Sequence, residues 1–249
     1  MAKLKSVINI EGTLNDLTFY KTQDGNLVKT KSGVSGSRIA NDPAFARTRE
    51  NGSEFGSSAK SGKLLRSALR NVMANASDNR VTSRLTQLMH EILLLDTTSE
   101  RGSRNVATAI ANAAAKAMLN DFNFNIHAAL GTILSKPFAV DIATGVITIN
   151  NFVPIKDIVF PVGATDVTFT GAWSKVNFVG EIYDTQLSNS VSLPINNVSG
   201  MVTLTPAGVP KGTGTNIFAM QILFEQTVNG KTYPLSNGAF NCLCIVDVS

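Results

Sequence analysis

The chain has almost no cysteine: two of its 249 residues, Cys242 and Cys244. In an extended strand, residues two apart share a face at about 7 Å, too far for an unstrained bridge, so the pair reads as small buried hydrophobes. Disulfides are not required either, because a chain of this length buries a self-sufficient core as one large domain or two modest ones. Long apolar runs are missing too. No stretch reaches the ~18 uninterrupted apolar residues of a spanning helix, and Met1-Ala2-Lys3-Leu4-Lys5-Ser6-Val7 lacks the apolar run of a signal peptide. The expectation is a chain kept in the cytoplasm, or released as an extracellular particle by another route. Without secretion the sequons at Asn51, Asn75 and Asn197 carry no meaning.

Histidine is equally scarce. His90 and His127 have no second histidine, cysteine pair or paired carboxylate at ligand spacing, which argues against zinc. Met89-His90-Glu91 lacks the second histidine of a metalloprotease helix. No G-x-S-x-G elbow marks a nucleophile. The stretch from Gly56 to Lys63 approaches a phosphate loop but fails it: its first glycine sits one residue too far away, Leu64 replaces the magnesium-holding hydroxyl, and no buried strand precedes it. That stretch reads as a flexible helix start with exposed lysines. Asp141, Asp157, Asp166, Glu181, Asp184 and Glu225 offer acidic pairs for glycoside hydrolysis, but six scattered acids single out no pair. Aromatics in the carboxyl half are thin, with Trp173, Tyr183 and Tyr233 as its Trp and Tyr, which weakens a glycan platform and makes Trp173 a core anchor. No catalytic, cofactor-binding or metal-binding residue is assigned, and an enzyme is not expected.

What is present is charge asymmetry and a change of period. Residues 1–105 hold 16 Lys and Arg against 10 acids, whereas residues 106–249 hold 6 against 8. Residues 5–31 alternate with period two through Val7 to Ile10, Leu17 to Tyr20 and Leu27 to Lys29, with turns at Glu11-Gly12-Thr13 and Gln23 to Asn26, which predicts a three-stranded meander. So small a meander is marginal alone, and its open edges need covering. In residues 32–58 the opening half reads as a linker, and a short helix can start after Asp42-Pro43. The period then becomes 3.6. Leu64, Leu65, Ala68, Leu69, Val72, Met73 and Ala76 form one apolar stripe, with Lys60, Lys63, Arg66 and Arg70 facing away from it. Ser77-Asp78-Asn79 breaks this helix; Val81, Leu85, Leu88, Met89, Ile92 and Leu95 mark a second, and the alanine-rich run after Ser103 a third. From Phe122 the signal is strands: 122–126, 138–141, 146–149, 166–170, 175–179, 201–205, 217–228 and 240–248, with Asn229-Gly230 the clearest hairpin turn.

Six stretches carry a resemblance: Gly12-Thr-Leu-Asn-Asp-Leu-Thr-Phe-Tyr20, Ala40 to Gly56 with Lys63-Leu-Leu-Arg66, and, in the carboxyl half, Asp141 to Ile149, Thr203 to Gly214 and Val228 to Gly238. They resemble uncharacterised proteins of Bacteroidota bacteria over nearly the whole chain, which implies one architectural unit and no particular chemistry. The fold expected is α+β: a β-meander over 1–31, a linker and helical segment over 32–121, and an all-β, immunoglobulin-like sandwich over 122–249. The function expected is a self-assembling structural subunit of a filament, tube or phage-like particle, its meander pairing with neighbouring copies. The alternative is a binding module, for nucleic acid through the basic helix face or for glycan through the sandwich.

Overall fold

The computed structural model describes residues 2–3 (backbone only), 10–30, 34–235 and 239–249. The chain divides into two compact units, Met1–Arg49 and Glu50–Ser249. The expected boundaries had fallen after residues 31 and 121; by spatial compactness the division lies instead inside one helix, and the helices and later strands form a single unit.

The first unit carries an antiparallel sheet of β1 (Ala2–Lys3), β2 (Gly12–Leu14), β3 (Leu17–Thr22) and β4 (Gly25–Thr30), in the order β1-β4-β3-β2. The tight turn between β2 and β3 falls at Asn15-Asp16, where Asn15 takes a left-handed φ of 52°. Glu11-Gly12-Thr13 was expected to turn, but Gly12 and Thr13 are in strand. The expected strand at Val7 to Ile10 lies, apart from Ile10, outside the described residues. After the sheet come α1 (Gly36–Asn41), a 3-10 turn (Pro43–Phe45) and the start of α2 (Ala46–Ala68). The elbow is locked by polar contacts: Asp42 accepts from the Ala44 amide and from Arg38, while Arg49 Nη1 donates to the carbonyls of Ile39 at 2.8 Å and Asp42 at 3.0 Å.

The opening half of residues 32–58, expected as a linker, therefore holds α1, and the helix expected after Asp42-Pro43 is the start of the long α2. Within the second unit the buried face of α2 is Glu54, Ser58, Ser61, Gly62, Leu65 and Ala68, a helical repeat written in small and polar residues. Smallness is what the site needs, since a Cβ on Gly62 would already touch Leu85 at 3.6 Å. That contact comes from α4 (Val81–Leu93), which lies close against α2 and buries Leu85, Met89, Ile92 and Leu93. The short α3 (Arg70–Met73) follows a break at Leu69. The alanine-rich third helix is two pieces, α5 (Val106–Ala109) and α6 (Ala113–Leu119), because Asn105 and Asn112 each turn a side chain back onto the backbone as an N-cap. Two single turns, α7 (Leu130–Ile133) and α8 (Pro154–Asp157), sit among the strands.

The strands form two sheets. One joins β7 (Asp166–Asn177), β8 (Ile182–Pro194), β10 (Thr215–Val228), β11 (Lys231–Pro234) and β12 (Cys242–Val248), in the order β11-β10-β7-β8 with β12 also on β10. The other is β5 (Ala139–Val140), β6 (Ile147–Phe152) and β9 (Gly200–Leu204). The five-stranded sheet is the middle layer. On one face Ala172, Val176, Ile217, Ala219, Leu243 and Ile245 share a core with the helices; on the other Val167, Phe169, Trp173, Phe218, Phe224 and Cys244 share one with Ile149, Phe152, Val202 and Leu204 of the smaller sheet. Burial on both faces explains why β10 and β12 read as near-continuous apolar runs. Trp173 is 4% exposed and stacks on Phe218 at 5.4 Å between centroids. Residues 122–126, expected as a strand, instead lie along the outer edge of β12, where Phe124 donates to the Leu243 carbonyl and Ile245 donates to that of Phe122. The segment 175–179 is mostly the end of β7, and β8 was not foreseen. The fold is mixed α and β with a curled carboxyl-terminal sheet.

Candidate functional site

The amino-terminal sheet is the surface least explained by its own packing. Among its described residues, and among those of the whole first unit, none is buried. Strand register sorts its side chains. Leu14 opposes Leu17, which opposes Thr30; Gly12 opposes Phe19, which opposes Val28. One face therefore gathers Leu14, Leu17, Phe19 and Val28, with Leu14 63% and Leu17 42% exposed. The opposite face carries Thr13, Thr18, Tyr20, Leu27 and Lys29, with Thr13 and Thr18 hydrogen-bonded and Lys29 over the Tyr20 ring. The charge of the chain resides here as well: Met1–Arg49 holds eight Lys and Arg against four acids, and Glu50–Ser249 holds fourteen against fourteen.

In the second unit the stretch that approaches a phosphate loop, Gly56 to Lys63, is the middle of α2 and not a loop or a helix start. Its backbone amides are spent within the helix, so it cannot cradle a phosphate. Of the four expected surface cations, Lys60, Lys63 and Arg70 are exposed, whereas Arg66 is half-buried with Nε shut away from solvent and unpartnered. A groove of about 610 Å³ runs beside α2, its walls including Gly56, Lys60, Ser61, Val106, Phe178 and Glu181. Lys60 and Glu181 are its charged groups. His90 is half-buried and lies 3.4 Å from the Ser58 hydroxyl, which itself donates to the Glu54 carbonyl. His127 is exposed on another segment. The two histidines are not brought together.

The polar groups that are buried brace the fold. Arg104 donates twice to Glu54, both at 2.8 Å, and the Gly102 amide adds a third bond at 2.7 Å. The Arg104 guanidinium holds the Glu54 carboxyl below the usual range against the cost of burial. Burial alone raises Asp96, but donors from Ser99 and Thr98 outweigh it and hold its carboxyl well below that range. Asp78 behaves alike: its burial is outweighed by the amides of Ile126 and Arg80 and by Arg84, which also donates to the carbonyls of Asn123 and Phe124. These carboxylates tie the 96–105 loop and the 122–126 segment to the helices. Glu54 and Asp78 carried no signal in a sequence searched for catalytic groups.

Of the six candidate acids, Asp166 and Glu225 are brought directly opposite each other on β7 and β10. One oxygen of each is occupied, Asp166 Oδ2 by the hydroxyls of Thr165 and Thr227 and Glu225 Oε2 by that of Thr168. Asp141 bonds within its own turn, Asp157 accepts from the Val153 amide beside Lys136, and Asp184 accepts from the Lys211 amide; with Glu181 at the groove, these four are dispersed. Among the described residues no group of three or more His, Cys, Asp or Glu could hold a metal, and no helix is long and apolar enough to cross a membrane. Cys242 and Cys244 are buried free thiols, and burial pushes Cys242 up to about 12. Tyr183 and Tyr233 are exposed on β8 and β11, far apart in sheet order. The chain matches no known family model, no curated protein and no solved structure.

Proposed function

We propose that this chain is a self-assembling structural subunit whose amino-terminal sheet pairs with a neighbouring copy, in a filament, tube or particle. One observation carries the reading: a four-stranded sheet without a single buried residue among those described, beside a second unit with two cores. A buried Leu or Phe contributes roughly 1.5–3 kcal/mol, and a sheet of short strands that buries none needs a partner surface to be stable. The resemblance to Bacteroidota proteins over nearly the whole chain supports keeping both units in one building block. Within the second unit, the two sheets packed around Trp173 support a sandwich of immunoglobulin-like character. Nucleic-acid binding by α2 is the weaker reading, since Arg66 is withdrawn from the basic face, and a glycan platform is weaker still, with its two exposed tyrosines apart. The test is the mass of the chain in solution with and without residues 1–31. The intact chain should form a larger species that the deletion reduces to a folded monomer; an unchanged mass overturns the proposal.

A further inference from the structure

Resting on that reading, we infer that the contact is made face to face by two amino-terminal sheets around a two-fold axis, through the Leu14, Leu17, Phe19 and Val28 face. Three features of this face point to a second copy of itself as its occupant. First, it is apolar where it is exposed: Leu14 and Leu17 are the large exposed hydrophobics of the described strands of this sheet. Second, its aromatic residue stands at the middle of β3: Phe19 lies between the Asp16 turn and Lys21. A two-fold axis crossing β3 there sets the Phe19 rings of the two copies beside each other, as a self-complementary interface demands.

Third, charge complements itself end to end. Lys21 shares this face at the far end of β3, two and four residues on from Phe19 and Leu17, while Asp16 sits in the turn at the near end. Both are exposed. With the two β3 strands antiparallel across the interface, each Lys21 lies over the partner's Asp16 turn, giving two symmetric ion pairs at the rim. The footprint is small. β3 and β4 are about 20 Å long and β2 and β1 about 10 Å and 7 Å, so the sheet offers under about 300 Å² per copy, which makes the contact smaller than a standard specific interface, weak and concentration-dependent. A two-fold contact also closes on itself, so any filament, tube or shell needs a second, different contact.

Charge reversal on the full chain tests the arrangement without touching its apolar centre. Lys21→Glu and Asp16→Lys each place like charges at both rims and should weaken the dissociation constant, read by analytical ultracentrifugation, about tenfold. The double variant should recover wild-type affinity to within about threefold. Phe19→Asp should abolish the contact, and Thr13→Lys, on the opposite face, should leave it unchanged. If deleting residues 1–31 reduces the mass but the charge reversals do nothing, the sheet pairs by its strand edges and this inference falls while the assembly reading stands. If the deletion leaves the mass unchanged, both fall.

Discussion

The two units solve the problem of burying a β-sheet in opposite ways. In Glu50–Ser249 the middle sheet is covered on one face by helices and on the other by a smaller sheet, and its buried carboxylates are all met by donors. In Met1–Arg49 a sheet of shorter strands, none longer than six residues, has neither cover nor a buried side chain among the described residues. The difference teaches where stability resides: the second unit is set by its own packing, and the first, under the assembly proposal, by what it meets.

The comparison is broken most severely by unpairing a buried charge. Arg104→Ala leaves Glu54 buried without its counter-ion and should cost about 3–5 kcal/mol in urea unfolding of the second unit. An equivalent loss in the first unit, Arg38→Ala, removes an exposed guanidinium beside the half-buried Asp42 and should leave the unfolding midpoint nearly unchanged. Similar costs for the two would erase the distinction.

Glycines sharpen it next. Gly145 has a φ of 73° and a Cβ there would overlap the Trp173 ring, whereas Gly12 has a φ of 121° with open space around it. Gly145→Ala should therefore cost strain and overlap together, about 2–4 kcal/mol. Gly12→Ala should cost the backbone strain of about 1–2 kcal/mol alone, read as faster amide exchange in β2 and β3.

Acid comes third. Glu54, Asp78 and Asp96 all have folded-state values below their ordinary ones. Their stabilisation is thus fully present above the unfolded values of about 4 and lost as pH falls through them toward the folded values. Thermal unfolding of the second unit should be flat from about pH 8 to 5 and decline below about pH 4; a decline beginning near pH 6 would implicate other groups. The smallest effect is Glu225→Gln, which relieves the like charge opposite Asp166 and should stabilise the second unit by a few tenths of a kcal/mol at pH 7.

Sequence pattern reached the apolar part of this architecture and stopped at its polar part. The α4 stripe, the Asn229-Gly230 hairpin and Trp173 as a core anchor were legible because apolar periodicity and turn chemistry are local. The middle of helix α2 was hidden because its buried face is Glu54, Ser58, Ser61 and Gly62 before it is Leu65; the signal was small residues at helical spacing, not hydrophobic ones. Strand β8 was hidden because an edge strand rich in Ser, Thr and Asn needs no apolar alternation. The layering of helices on the carboxyl-terminal sheet rests on contacts between residues as distant as Val72 and Gln221, whose side chain donates to the Val72 carbonyl, and such pairings leave no local mark. For the candidate surface, the alternation of β3 and β4 was legible, but which residues share its apolar face depended on the turn at Asn15-Asp16.

The dependence of the first unit on a second copy is tested most directly by amide hydrogen exchange of the intact chain across a hundredfold range of concentration. Protection in residues 17–30 should rise with concentration while protection in β7, β10 and β12 stays constant. Protection in residues 17–30 that is strong and independent of concentration would show that this sheet is stable by itself, and would contradict the assembly reading.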